Sequence, residues 1–263
     1  MIKIDKPTQP PISKKLKDEL KVATDLLCKE YLNNKADYNA GEKAFSFDND
    51  LYKGGSKKEI KEQLLHIQGY KCCFCEKKLT QYDDVEHFRP KTAYQRYKGD
   101  ALNYPAYYWL AYNWDNLLIA CKVCNSSYKG NLFPLFNEDN RARNHLADIS
   151  LENPLLINPA TENPEDFIGF RRAFAYDKNE RGRQVIEFFN LNEDRRNEKD
   201  FYQDELYSER ERIFWLVKNA NFVANLFPTD SITQNDIDEA REIVEMHKQK
   251  DAPFAAMIRA NFP

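Results

Sequence analysis

The sequence predicts an α+β protein: a small cysteine-stapled core between mostly helical N- and C-terminal regions. Three observations carry this. Apolar residues recur at helical spacing toward both ends of the chain. Two Cys-x-x-Cys pairs, at Cys72/Cys75 and Cys121/Cys124, bracket a central stretch. Short apolar runs, Leu117-Leu-Ile-Ala120 within that stretch and Ile168-Gly-Phe170 beyond it, read as strands or hairpin arms. The 263 residues allow one large domain or two modest ones, and 42% hydrophobic content is enough for a core, which excludes wholesale disorder.

The elements follow in order. Pro10 and Pro11 precede a helical pattern in which Leu16, Leu20, Ala23, Leu27 and Tyr31 recur at steps of three and four. The polar stretch 33–55 reads as loop. Ser56 and Glu59 are spaced as a capping box that opens a helix with Ile60, Leu64 and Ile67 on one face, and Gly69 closes it. Beyond the cysteine-bracketed stretch, 168–176 reads as a strand or hairpin, and helical patterns cover 183–189, about 195–223 and 237–247. The expected organisation is therefore a helical extension over 1–55, a core over 56–145 and a mostly helical region over 146–263.

Charge separates these segments. The formal net charge is −3, which excludes a uniformly basic nucleic-acid coat. From residue 146 onward the net charge is −8, whereas 87–129 carries +4 from Arg89, Lys91, Arg96, Lys98, Lys122 and Lys129 against Asp100 and Asp115. An acidic helical region suits protein docking better than nucleic acid. No apolar run approaches the roughly 18 residues of a membrane span, and the first residues lack a signal-like stretch. A soluble cytoplasmic protein with reduced thiols is expected, so cysteines are metal ligands or buried thiols rather than a disulfide frame.

A two-residue gap lets a tight turn aim both thiolates of a pair at one ion. Two such turns, Cys72/Cys75 and Cys121/Cys124, complete a closed four-sulfur site, which predicts structural zinc. Cys73, between two ligands, points away, and Cys28 is a buried thiol on the first helix. The spacing between the pairs is longer than that of common zinc knuckles, so the insert must hold folded structure of its own.

The insert carries the unusual chemistry: Asp83-Asp-Val-Glu-His-Phe-Arg-Pro-Lys91, Asn113-Trp-Asp-Asn-Leu-Leu-Ile-Ala-Cys121 and Cys124-Asn-Ser-Ser-Tyr-Lys-Gly130. His87 has a side chain suited to general-base work near neutral pH. The Glu86 carboxylate and an amide oxygen are hard donors that suit magnesium or manganese. Arg89, Lys91 and Lys129 have the charge to bind phosphate. The aromatic run Tyr104, Tyr107, Tyr108, Trp109, Tyr112 and Trp114 reads as core around the motif. His66, His145 and His247 have no supporting context.

In this order Cys72, Cys75, Glu86-His87, Pro90, Asn116-Leu117, Cys121, Cys124-Asn125 and Lys129 resemble the HNH endonucleases. More narrowly, Val85-Glu-His-Phe-Arg-Pro-Lys91, Trp114-Asp-Asn-Leu-Leu-Ile-Ala-Cys121 and Lys129-Gly-Asn-Leu-Phe-Pro134 are similar to the HNH subunits of Septu-type and retron-associated anti-phage systems, the PtuB-like proteins. The match covers about 56–137. The resemblance implies a ββα-metal nuclease core and metal-dependent hydrolysis of DNA or RNA that leaves a 5′-phosphate and a 3′-hydroxyl. It implies His87 as general base, Glu86 and Asn125 as holders of catalytic magnesium or manganese, and Asn116 as the residue that orients His87. It implies an ABC/SMC-type ATPase partner (PtuA-like) and, in some systems, a retron reverse transcriptase with its RNA–DNA product. Two positions depart from the commoner pattern: Glu86 stands where Asp is usual, and Asn125 where His is.

The rival expectation is a zinc-ribbon adaptor for nucleic acid or protein with a degenerate nuclease motif. It needs the four cysteines but not Glu86, His87, Asn116 or Asn125.

Overall fold

Helix α1 (Lys14–Asn33) starts where the sequence places it. Ser13 caps it, its Oγ accepting from the Leu16 amide at 3.3 Å, and Leu16, Leu20, Leu27 and Tyr31 form its buried face. The computed structural model describes residues 1–53, 58–80, 82–192 and 206–263. The stretch expected to be loop instead contains two short helices, α2 (Lys35–Ala40) and α3 (Asp50–Lys53). Packing rather than periodicity makes them: Tyr38, Leu51 and Tyr52 are buried, too few points for a sequence pattern. Residues ahead of α1 belong to no helix. Met1, Ile2 and Ile4 are buried, and the Ile4 amide donates to the Pro159 carbonyl at 2.9 Å.

Helix α4 (Glu59–Ile67) buries Ile60 and Leu64. Ser56 of the expected capping box lies outside the described residues. The Glu59 carboxylate accepts from the Ser13 amide (2.6 Å) and hydroxyl (2.9 Å), which ties the starts of α1 and α4 together. Gly69 ends the helix with φ +60°, and a Cβ there would lie 2.7 Å from the Asp251 Cα, so only glycine fits.

Strands β1 (Asp84–His87) and β2 (Leu117–Ala120) pair antiparallel, with Glu86 opposite Leu118 and His87 opposite Leu117. A short π-helical segment, Val123–Lys129, follows β2 and ends at Gly130, whose amide donates to the Asn125 carbonyl at 2.8 Å. Gln68 locks α4 onto β2: its Oε1 accepts from the Ile119 amide (2.8 Å), and its Nε2 donates to the Ile119 carbonyl (2.9 Å). Most of the aromatic run is core as expected, with Tyr107, Tyr108, Tyr112 and Trp114 buried; Tyr104 is exposed.

A second hairpin, β3 (Ile168–Arg171) with β4 (Phe174–Asp177), forms where expected, followed by α5 (Glu180–Phe188) with Asn179 as its cap. The long helix is described as α6 (Leu206–Ala224); its expected start near 195 lies outside the described residues. Helix α7 (Gln234–Lys248) pairs with α6, and α8 (Ala255–Asn261) packs on β3 and α7. Among the described residues no helix is long and apolar enough to cross a membrane.

One buried hydrophobic cluster takes residues from Met1 to Ile258 and so joins all three segments. The buried Glu76 shows the same joining. Its carboxylate accepts from the Met1 amine (2.7 Å), Lys71 (3.3 Å) and the Ala256 amide (3.3 Å), while Lys71 also donates to the Ala252 carbonyl. Burial opposes the Glu76 charge, but the two cations outweigh it and hold the carboxyl below its ordinary range.

Candidate active site and metal centre

Cys72, Cys75, Cys121 and Cys124 are all buried, and their sulfurs lie within 4.8 Å of one another. Each pair sits on a tight turn. The Glu76 amide donates to the Cys72 carbonyl and the Asn125 amide to the Cys121 carbonyl, at 3.0 and 2.9 Å. Glu76 takes φ +62° to finish the first turn. The Cys75 and Cys121 sulfurs are 3.7 Å apart, the separation expected of two ligands at ~2.3 Å from a tetrahedral zinc. Burial pushes the Cys72 thiol well above its ordinary value; a bound cation would supply the positive charge that a buried thiolate needs. These cysteines could bind structural zinc. Cys73 is buried outside the group, and Cys28 is only half-buried rather than sealed in the core. Asp83, absent from the sequence-level site, ties the loop before β1 to the second turn: it accepts from the Thr80 amide (2.6 Å) and hydroxyl, and from the Lys122 amide (3.0 Å).

β1 carries Glu86 and His87 from the first zinc turn into a polar cavity of about 250 Å³. Its lining brings together Glu86, His87, Lys91 and Asn125 of the expected residues. It adds Tyr52, Lys53 and Asp84, which sequence reasoning missed. The His87 Nε2 lies 2.9 Å from the Ala111 carbonyl. A carbonyl only accepts, so Nε2 carries the proton and Nδ1 is the ring's proton acceptor. Burial, then Lys91, lowers the His87 pKa, with Lys129 and Lys53 adding to the effect; it falls to about 3, so the ring is neutral at physiological pH but a weaker proton acceptor than the near-neutral base expected from the sequence. Tyr52 meets the ring edge-on, centroids 5.1 Å apart at 89°.

Glu86 is 3% exposed. Burial raises its pKa, and Lys129 works against that rise. Lys129, itself buried, places its ammonium 2.6 Å from Glu86 Oε1 and 2.8 Å from the His87 carbonyl, tying the end of β1 to the π-helical segment. It is thus an internal partner of the motif, not an open phosphate ligand. Glu86, Asn125 and Asp84 line the same cavity, and each carries an oxygen of the type that hard divalent cations take.

Asn116 does not line the cavity. Its Oδ1 accepts from the Arg89 amide (2.8 Å), and its Nδ2 donates to the carbonyls of Arg89 (2.9 Å) and Leu110 (3.1 Å). Its own carbonyl accepts from the Phe88 amide at 2.9 Å. Asn116 therefore grips the chain after His87 and the carbonyl next to the one that holds the His87 ring. Arg89 points elsewhere, pairing with the buried Glu152 at 2.8 Å. That carboxylate also accepts from the Tyr107 hydroxyl and the Ala142 amide. Of the uncommitted histidines, His145 meets the Tyr108 hydroxyl at 2.6 Å and is part of the aromatic core.

No family model matches the chain, and no solved structure matches it. Two curated proteins do. The Septu protein PtuB of Bacillus mycoides (strain KBAB4) is 41% identical over 127 residues, 48% of this chain and 42% of that protein. The Septu protein PtuB of Bacillus thuringiensis is 29% identical over 140 residues, 52% of this chain and 42% of that protein. The chain thus spans less than half the length of either relative. Over about half of its own length, this chain is similar to the Septu protein PtuB.

Proposed function

We propose that the chain is a metal-dependent HNH-type endonuclease, the nuclease subunit of a cytoplasmic anti-phage defence complex. Similarity to Septu proteins PtuB supports the defence role. One observation carries the chemistry: the Ala111 carbonyl holds the His87 proton on Nε2 and leaves Nδ1 as acceptor, in a cavity shared with Glu86 and Asn125. His87 takes the proton of the attacking water at Nδ1. Glu86 and Asn125 hold magnesium or manganese, which when bound supplies charge stabilisation at the phosphate and the leaving oxygen. Asn116 orients His87 through the two backbone segments it grips. The substrate is a phosphodiester of DNA or RNA.

The partner in this reading is an ABC/SMC-type, PtuA-like ATPase, joined in retron systems by a reverse transcriptase and its RNA–DNA product. The outer face of α6 and α7 is the docking surface in this reading. It exposes Trp215, Leu216, Phe222 and Met246 beside Asp238, Glu239, Glu242 and Glu245. The adaptor reading also has one observation in its favour: the Lys129 ammonium already neutralises Glu86. The test is incubation of the purified protein, with its co-expressed ATPase, with DNA and with total RNA, with and without magnesium. Magnesium-dependent cleavage supports the nuclease; intact substrate in every arm supports the adaptor.

A further inference from the structure

We propose that Lys53 and Lys91 form an anion seat in the wall of the His87 cavity that holds a phosphodiester group of a nucleic-acid strand. The proposal rests on the nuclease reading and adds to it a substrate contact supplied from outside the strand-pair core. Lys53 ends α3, Lys91 follows β1, and both line the cavity with His87. The Lys91 ammonium donates to the Tyr52 hydroxyl and to Asn49 Oδ1, both neutral acceptors. It lies over the rings of Phe47 and Tyr52, 4.7 and 4.6 Å from their centroids.

The charge balance points to an anion. Lys91 is half-buried and Lys53 is exposed at the cavity's edge. Four cations withdrawn from water elsewhere meet carboxylates: Lys71 with Glu76, Lys129 with Glu86, Arg89 with Glu152, Arg141 with Glu138. Lys6, also withdrawn, instead donates to the Trp114 and Leu117 carbonyls and does not line the His87 cavity. Among the described residues Lys53 and Lys91 form no ion pair, although Asp84 lines the same cavity. Burial and the neighbouring Lys53 lower the Lys91 ammonium to about 8. Withdrawing an ammonium from water beside a second cation, without a counter-ion, is costly. Such an uncompensated charge in a cavity is the mark of a site that waits for its ligand. The anion that the adjoining His87 would act on is a phosphodiester, and a lysine meets phosphate oxygens as a point charge. Tyr52 and Asn49 hold the Lys91 head in place while adding no negative charge.

The test uses the 263-residue chain, zinc-loaded, with magnesium omitted, so that binding is read without cleavage. The probe is a fluorescently labelled single-stranded oligodeoxynucleotide, titrated over a sodium chloride series against wild type, Lys53→Gln, Lys91→Met and Lys91→Arg. At about 0.1 M salt each neutral variant binds roughly five- to tenfold more weakly, and the slope of log affinity against log salt flattens by ~0.7 per lysine. Lys91→Arg retains most of the affinity. Lys91→Met keeps the packed stem, so its melting temperature equals or exceeds that of wild type. Unchanged affinity and slope in both neutral variants overturn the seat, as does a lowered melting temperature in Lys91→Met, which would make the lysine a packing element. Cleavage by wild type beside His87→Ala is read separately. Cleavage that needs His87 while binding ignores both lysines leaves the nuclease and removes the seat.

Discussion

Replacing Asn116 by alanine removes a staple, not a catalyst, and its cost follows from what the side chain holds. Three side-chain hydrogen bonds are lost, to the Arg89 amide, the Arg89 carbonyl and the Leu110 carbonyl, at a residue that is 4% exposed. Each bond contributes about 1 kcal/mol net, and a buried group left without a partner costs about 1–3 kcal/mol. Partial access of water to the Arg89 loop reduces the sum, so about 2–4 kcal/mol is expected. For a chain of this size that is a fall in melting temperature of roughly 5–15 °C. Thermal and urea unfolding of Asn116→Ala beside wild type measure it, with zinc content as a control. Cleavage should fall as well, because the Leu110–Ala111 segment loosens and the His87 ring loses its fixed acceptor. A variant as stable as wild type but inactive would refute this reasoning, since it would make Asn116 a participant in the chemistry rather than a support beneath it.

Three further outcomes are expected. Cys75→Ser or Cys124→Ser should lose the single zinc and unfold the core, because a structural zinc supplies roughly 10–16 kcal/mol of apparent binding energy in small modules; soluble, folded wild type without zinc by elemental analysis contradicts the site. Glu76→Gln should destabilise by about 3–5 kcal/mol at neutral pH, since it strands Lys71 and the Met1 amine without a counter-charge. The folded-state pKa of Glu76 is depressed, so this contribution is present above the unfolded carboxylate value and is lost as pH falls through the folded one. Urea unfolding should therefore show the gap between Glu76→Gln and wild type narrowing in acid, and a gap that is constant with pH would oppose the account. Phe222→Ser combined with Glu242→Lys should abolish co-purification of the ATPase while zinc content and melting temperature stay unchanged; undiminished capture places the docking surface elsewhere.

What the sequence makes legible is what chain-local spacing controls. The two cysteine pairs each fix their own turn, and the 3.6-residue periodicities of α1, α4 and α7 are strong enough to read directly. The Glu86–His87 and Asn125 positions come from the resemblance to HNH endonucleases, and all three line one cavity. The rest depends on tertiary neighbours. A four-residue helix such as α3 has no period to detect, so Tyr52 and Lys53 gave no signal before packing placed them against β1. Arg89 and Lys129 read as phosphate-binding cations because the carboxylates they pair with, Glu152 and Glu86, lie 63 and 43 residues away in sequence. The buried amine of Met1 depends on Glu76, a pairing no local pattern announces. A truncation after Leu191, natural from sequence alone, would strip α8 from the zinc turn that it helps to brace through Glu76. Point substitutions on α6 and α7 are the cleaner test of docking.

In the proposed mechanism His87 removes a proton from water in a cavity whose fold stands without it. The most direct measurement is single-turnover cleavage, in magnesium and with the ATPase present, by folded and zinc-loaded His87→Ala beside wild type. The expected result is a loss of ~10²–10⁴-fold in rate, the range for a positioned general base, with zinc content and oligonucleotide affinity unchanged. Equal rates would contradict it and leave the zinc-ribbon adaptor as the better description.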